Sequence, residues 1–152
     1  MTKVRRGRFA GVRSRFEGYQ RRVIVWACRS CDWHTEEGKV PVCGECHGAD
    51  LEHFDSRIEF LRYRELRLMQ EAGRIRDLEL QPRFPISVMA VLSGKPVKGC
   101  VYVADFRYVK DDGMKVVEDC KAKSELADSD VFKLKKRLFE AAYGIAIQIV
   151  RR

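Results

Sequence analysis

VYVADFRYVKDDGMKVVEDCK, residues 101–121, decides the fold. Two β-rich runs flank Lys110-Asp111-Asp112-Gly113, and Asp-Gly between apolar alternations signals a hairpin. The expected strands are Cys100–Val109 and Met114–Lys121. Strand side chains alternate with period two. Val117, Asp119 and Lys121 therefore share one face, and Glu118 and Cys120 the other. Counting outward from the turn brings Asp105, which interrupts the first strand, near Asp119.

Two carboxylates and a lysine at one sheet end fit a magnesium site with an adjacent cation. Phosphodiester hydrolysis needs a water made nucleophilic and a developing negative charge neutralised, and hard oxygen ligands around Mg²⁺ or Mn²⁺ meet both needs. A structural alternative stands beside this: the two aspartates cap strand ends and Lys121 merely pairs with Asp119.

Outward from the hairpin the pattern is α/β. Ser56 and Glu59 form a capping box that opens a helix ending at Gly73, with Ile58, Leu61, Leu66, Leu68 and Met69 as its apolar stripe. Phe84–Leu92 is the first expected strand of the sheet, closed by Ser93-Gly94-Lys95-Pro96. After the hairpin comes a helix over Val131–Tyr143, with Leu134, Leu138, Ala141 and Ala142 inward and Gly144 as its stop. Ile145–Val150 reads as a last strand. The expected core, residues 52–152, runs helix, three strands, helix, strand.

The N-terminal third is different. Residues 1–22 lack apolar periodicity and read as a flexible basic arm. Residues 1–25 hold +7 of the chain's +8 net charge, through residues such as Arg5, Arg6, Arg8, Arg13 and Arg15. A basic arm on a near-neutral body fits a polyanion, most often nucleic acid. Residues 23–48 form a second unit. A short strand, Val23–Trp26, precedes Cys28-Arg-Ser-Cys31, eleven residues, and Cys43-Gly-Glu-Cys46. Two such knuckles at this spacing signal a zinc ribbon with Cys28, Cys31, Cys43 and Cys46 as ligands. Four ligands leave no open position, so this zinc is expected to be structural.

Other readings of these cysteines stay open: His34 or His47 in place of one thiol, a redox pair, or haem attachment through Cys46-His47. A reducing compartment disfavours disulfides. Cys100 and Cys120 are expected as buried thiols. No apolar run has membrane-spanning length and no secretory signal opens the chain, so the expected location is cytoplasmic and no membrane partner is expected.

The residues resemble the PD-(D/E)XK nuclease superfamily: D…(D/E)-x-K on adjacent strands, behind a helix bearing Glu59. FDSRIEFLRYREL, RIRDLELQPRFPI, YVADFRYV, VVEDCKAK and KLKKRLFEAAYGI resemble small phage-encoded Holliday junction resolvase-like endonucleases over about residues 53–150. The resemblance implies a restriction-endonuclease-like α-β-β-β-α-β core, a mixed sheet flanked by helices. It implies Glu59, Asp105 and Asp119 as metal ligands, with the Cys120 backbone carbonyl, and Lys121 as catalytic cation. Glu118 replaces Asp119 if the register slips by one. Gln81 and Lys135 are expected near the scissile phosphate.

The implied activity is a Mg²⁺-dependent endonuclease on branched DNA, paired as a homodimer and active in the host-cell cytoplasm. The strand or helix surface around Phe132 and Phe139 is the candidate dimer interface. The alternatives are a non-catalytic zinc-ribbon nucleic-acid-binding protein, or a nuclease acting on flaps or forks. Arg29, Lys39 and Trp33 of the ribbon suit nucleic-acid contact, and Trp33 equally suits packing.

Overall fold

A computed structural model describes residues 23–87, 91–92, 95–96, 99–123 and 129–152. The basic arm, with Arg5, Arg6, Arg8, Arg13 and Arg15, lies outside the described residues. The elements run β1 (Val25–Cys28), β2 (His34–Thr35), β3 (Leu51–Phe54), α1 (Arg57–Glu71), β4 (Ile75–Leu80), β5 (Arg83–Ile86), β6 (Val91–Leu92), β7 (Lys95–Pro96), β8 (Cys100–Val103), β9 (Phe106–Lys110), β10 (Lys115–Lys121), α2 (Asp130–Tyr143) and β11 (Ile147–Arg151).

The Asp-Gly turn forms as its sequence dictates. Gly113 adopts φ 84°, and the Lys110 N–H donates to the Met114 carbonyl at 2.9 Å. This sets the antiparallel β9–β10 register, with Lys115 opposite Val109 and Glu118 opposite Phe106. The main sheet has the order β11-β10-β9-β4; β4, β9 and β10 are antiparallel neighbours and β11 lies parallel to β10. A parallel neighbour needs a crossover, and α2 provides it.

The two helices pack on opposite faces. Phe60, Tyr63 and Leu66 of α1 share a core with Ile75, Phe106, Tyr108, Val116 and Cys120. Phe139 of α2 shares the other core with Phe84, Tyr102, Val117 and Ile147. Val117 and its i+2 neighbours therefore face α2, while Val116, Glu118 and Cys120 face α1.

Two strand expectations need correction. Phe84–Leu92 is not one strand of the main sheet: it splits into β5 and β6, and β5 pairs with β8 outside that sheet. The place belongs to β4, whose exposed Arg76 and Asp77 disguise an edge strand with a bulge between Arg76 and Glu79. The expected strand Cys100–Val109 breaks at Ala104–Asp105, where the chain leaves β5 and joins β4 and β10.

The helix stripes differ too. Leu61 and Leu68 are exposed, and aromatic Phe60 and Tyr63 fill the core instead. In α2, Leu134 and Leu138 are exposed, as are Ala141 and Ala142, while Phe139 is fully buried. Phe139 contacts the rings of Phe84, Tyr102 and Tyr143 at 4.8, 5.2 and 5.0 Å, so its own side chain is interior and offers nothing to a dimer surface. Phe132 packs half-buried against the same cluster.

The ribbon is not a separate body. Strand β3 completes a β2-β1-β3 sheet, and Val25, Ala27 and Phe54 enter the α1 core. No helix among the described residues is long and apolar enough to cross a membrane.

Candidate functional site

The four cysteine thiols close on one point. Cys28 ends β1 and Cys31 follows in the first knuckle; Cys43 and Cys46 form the second. All four sulfurs lie within 4.8 Å of one another, with Cys28–Cys46 and Cys31–Cys43 at 3.5 Å. A zinc tetrahedron with ~2.3 Å bonds has edges of about 3.8 Å, so the donor set fits Zn²⁺. The spacing is far too long for disulfides, and all six cysteines are free thiols.

Backbone N–H groups of Ser30, Glu45 and Cys46 donate to the knuckle sulfurs at 3.3–3.4 Å. Burial raises the Cys43 thiol, but those donors from Cys46 and Glu45 outweigh it with the neighbouring thiols, bringing it down to about 7. Trp33 lies against Gly44, where a Cβ would meet the indole at 2.9 Å. Its packing role is thereby satisfied. His34 lies tilted against Phe60, with ring centres 4.6 Å apart, and neither His34 nor His47 joins the thiol group. Arg29 is tied to Glu52 and Asp50, which leaves Lys39, over the Trp26 ring at 6.0 Å, as the ribbon cation nearest an aromatic face.

The acidic cluster sits where β8 gives way to β9. Gln81 N–H donates to the Asp105 carbonyl at 2.9 Å, and Asp105 N–H donates to the Glu118 carbonyl at 3.1 Å. The Asp105 Oδ2 accepts from the Cys120 N–H at 2.6 Å. One register step on, Asp119 and Lys121 project to the α2 side. Asp119 Oδ1 accepts from Lys121 Nζ, and Asp119 Oδ2 accepts from the Tyr102 hydroxyl. Lys121 Nζ also lies 4.5 Å from the centre of the Phe132 ring. Tyr102, Asp105, Asp119, Lys121, Phe132 and Lys135 line one open cleft of about 310 Å³.

Electrostatics tie the acids together. Burial, then the charge of Asp119, pushes the Asp105 carboxyl up to about 7, against the Cys120 N–H that lowers it. Two carboxylates that resist sharing negative charge are suited to a divalent cation, and oxygen donors suit Mg²⁺ or Mn²⁺. Glu59 is raised by burial, partly offset by the Ser56 hydroxyl, and its charge reaches Asp105.

The Glu59 oxygens, however, accept from Ser56 Oγ at 2.8 Å and Asp55 N–H at 3.2 Å, so the capping box holds this side chain. Among the described residues the four thiols are the one group of three or more potential ligands that closes on a point. Asp105, Asp119, Lys121 and Lys135 are brought together; Glu59 is adjacent; Gln81 contributes its backbone to placing Asp105.

Glu118 is removed from the site. It lies 2% exposed on the α1 face, in a bidentate pair with Arg62 at 2.8 and 2.7 Å and accepting from Tyr108 at 2.6 Å. Sequence reasoning missed Tyr102 and Arg62. A tyrosine amid an apolar strand needs a partner for its hydroxyl, and that was the available signal.

No curated protein and no solved structure matches the chain. Over residues 48–150, which include the acidic cleft and exclude the four cysteines, the chain belongs to the DUF1064 family, described as protein of unknown function.

Proposed function

We propose that the protein is a metal-dependent, structure-selective DNA endonuclease that resolves four-way junctions by paired phosphodiester hydrolysis. The observation that carries this reading is the single cleft lined by Asp105, Asp119, Lys121 and Lys135. The order α1, β4, β9, β10, α2, β11 supports a restriction-endonuclease-like core of the PD-(D/E)XK type, with the β5–β8 region as an insertion.

In this reading Asp105 and Asp119 hold Mg²⁺ or Mn²⁺ with the Cys120 carbonyl, and Glu59 adds negative charge from α1. A divalent cation held there would supply an activated water and neutralise charge on the phosphate. Lys121 donates to the phosphorane oxygens. Lys135 binds the phosphate across the cleft, and Gln81 fixes the backbone of Asp105 beneath it. The arm residues Arg5, Arg6, Arg8, Arg13 and Arg15 supply phosphate contacts, so affinity falls steeply with salt. Paired nicks require two sites, hence a homodimer. The zinc is structural, and the place of action is the cytoplasm.

A second reading, a zinc-ribbon nucleic-acid-binding protein without catalysis, is favoured by one observation: only the thiols form a closed ligand set among the described residues. The test is cleavage of a labelled four-way junction with Mg²⁺, beside linear duplex and a single-stranded flap. Paired symmetric nicks in the junction alone are expected. Tight binding without cleavage selects the second reading. Equal cutting of all three keeps the nuclease and removes the resolvase.

A further inference from the structure

We propose that Tyr102 is a positioning residue for the cation-binding carboxylate Asp119. The inference rests on the nuclease reading of the cleft. Asp119 is only 4% exposed, and its two oxygens have different holders. Lys121, on the cleft side, bonds Oδ1; the Tyr102 hydroxyl, on a side chain 3% exposed, bonds Oδ2.

The two holders are not equivalent. Lys121 lines the open cleft, its side chain is 23% exposed, and Phe132 offers its ammonium a second resting place. A cation held by Asp119 would release Lys121 to turn toward substrate. Tyr102 has no such freedom. Its ring packs against Phe139 at 5.2 Å, and it stands opposite Phe84 in the β5–β8 ladder. The hydroxyl alone then fixes the rotation of the Asp119 carboxylate and keeps Oδ1 turned to the cleft. Such an outer partner orients a metal ligand, and its loss costs about 10–100-fold in metal affinity.

Tyr102→Phe keeps the ring and removes the hydroxyl. The experiment is Mn²⁺ binding to the zinc-loaded chain, read from the electron paramagnetic resonance signal of free Mn²⁺, for the natural protein, Tyr102→Phe and Asp105→Asn. Zinc content and thermal midpoint report the fold of each. The expected result is abolished binding in Asp105→Asn and at least about 10-fold weaker binding in Tyr102→Phe, with zinc content unchanged. Binding by Tyr102→Phe equal to the natural protein, with Asp105→Asn still deficient, overturns the role of Tyr102 and leaves the cation site standing. Binding unaffected by Asp105→Asn, or absent throughout, overturns the cation site and the inference together.

Discussion

Asp105 was legible because an acid interrupting an apolar strand is conspicuous, and its pairing with Asp119 followed from the turn. Glu118 was harder. Its neighbour relation to Asp119 is one residue, yet it faces the opposite core and is neutralised by Arg62, 56 positions away in sequence. No local pattern announces a partner at that distance. The environment of Asp105 gives a pH signature. Its carboxyl is held up to about 7 by burial and by Asp119, while an unfolded Asp titrates near ~4. Between those values the folded protein keeps a proton that the unfolded chain has lost. The stabilisation is full below about pH 4 and is lost as pH rises through 7. Glu36, Glu65 and Glu140 are held low by Arg57, Arg152 and Lys136, and they slope the other way in both proteins. In magnesium-free buffer, urea unfolding of Asp105→Asn should therefore gain on the natural protein as pH rises from 5 toward 8. A constant difference between the two curves would contradict the buried-acid environment.

Among the elements, capping and turn chemistry read well, and edges read poorly. Ser56 and Glu59 open α1 as expected, and Gly144 closes α2. The stretch that forms β4 carries no strand signal in the sequence, because among the described residues β4 is an edge strand beside β9, and edge strands carry charges that mask alternation. In α2 the leucine spacing pointed to the wrong face. The aromatic cluster wins because Phe139 meets three rings at once, while Leu134 is 59% exposed. Phe139→Ala should cost about 3–5 kcal/mol in urea unfolding. Leu134→Ala should stay within about 0.5 kcal/mol. A reversed order would mean that α2 presents its leucine face to the sheet.

At the scale of the whole molecule, the four-cysteine segment and the α/β body share a core. The knuckle spacing made the ligand set legible; the fusion of β1 and β3 with α1 was not, since nothing local states where Val25, Ala27 and Phe54 pack. Loss of the metal should therefore reach beyond residues 23–48. Cys43→Ser should abolish zinc uptake by the four-thiol cluster, measured by elemental analysis after loading with Zn²⁺. It should also forfeit at least ~3 kcal/mol of the zinc-binding energy, lowering the thermal midpoint by roughly 6–12 °C. An unchanged midpoint would detach the ribbon from the core. This shared scaffold holds open the cleft lined by Asp105 and Asp119. The most direct test of its proposed catalytic role compares the natural protein with Asp105→Asn and Asp119→Asn on one labelled four-way junction in Mg²⁺, scoring binding and cleavage separately. Both variants should bind the junction and neither should cut it. Cleavage surviving in both would contradict that role.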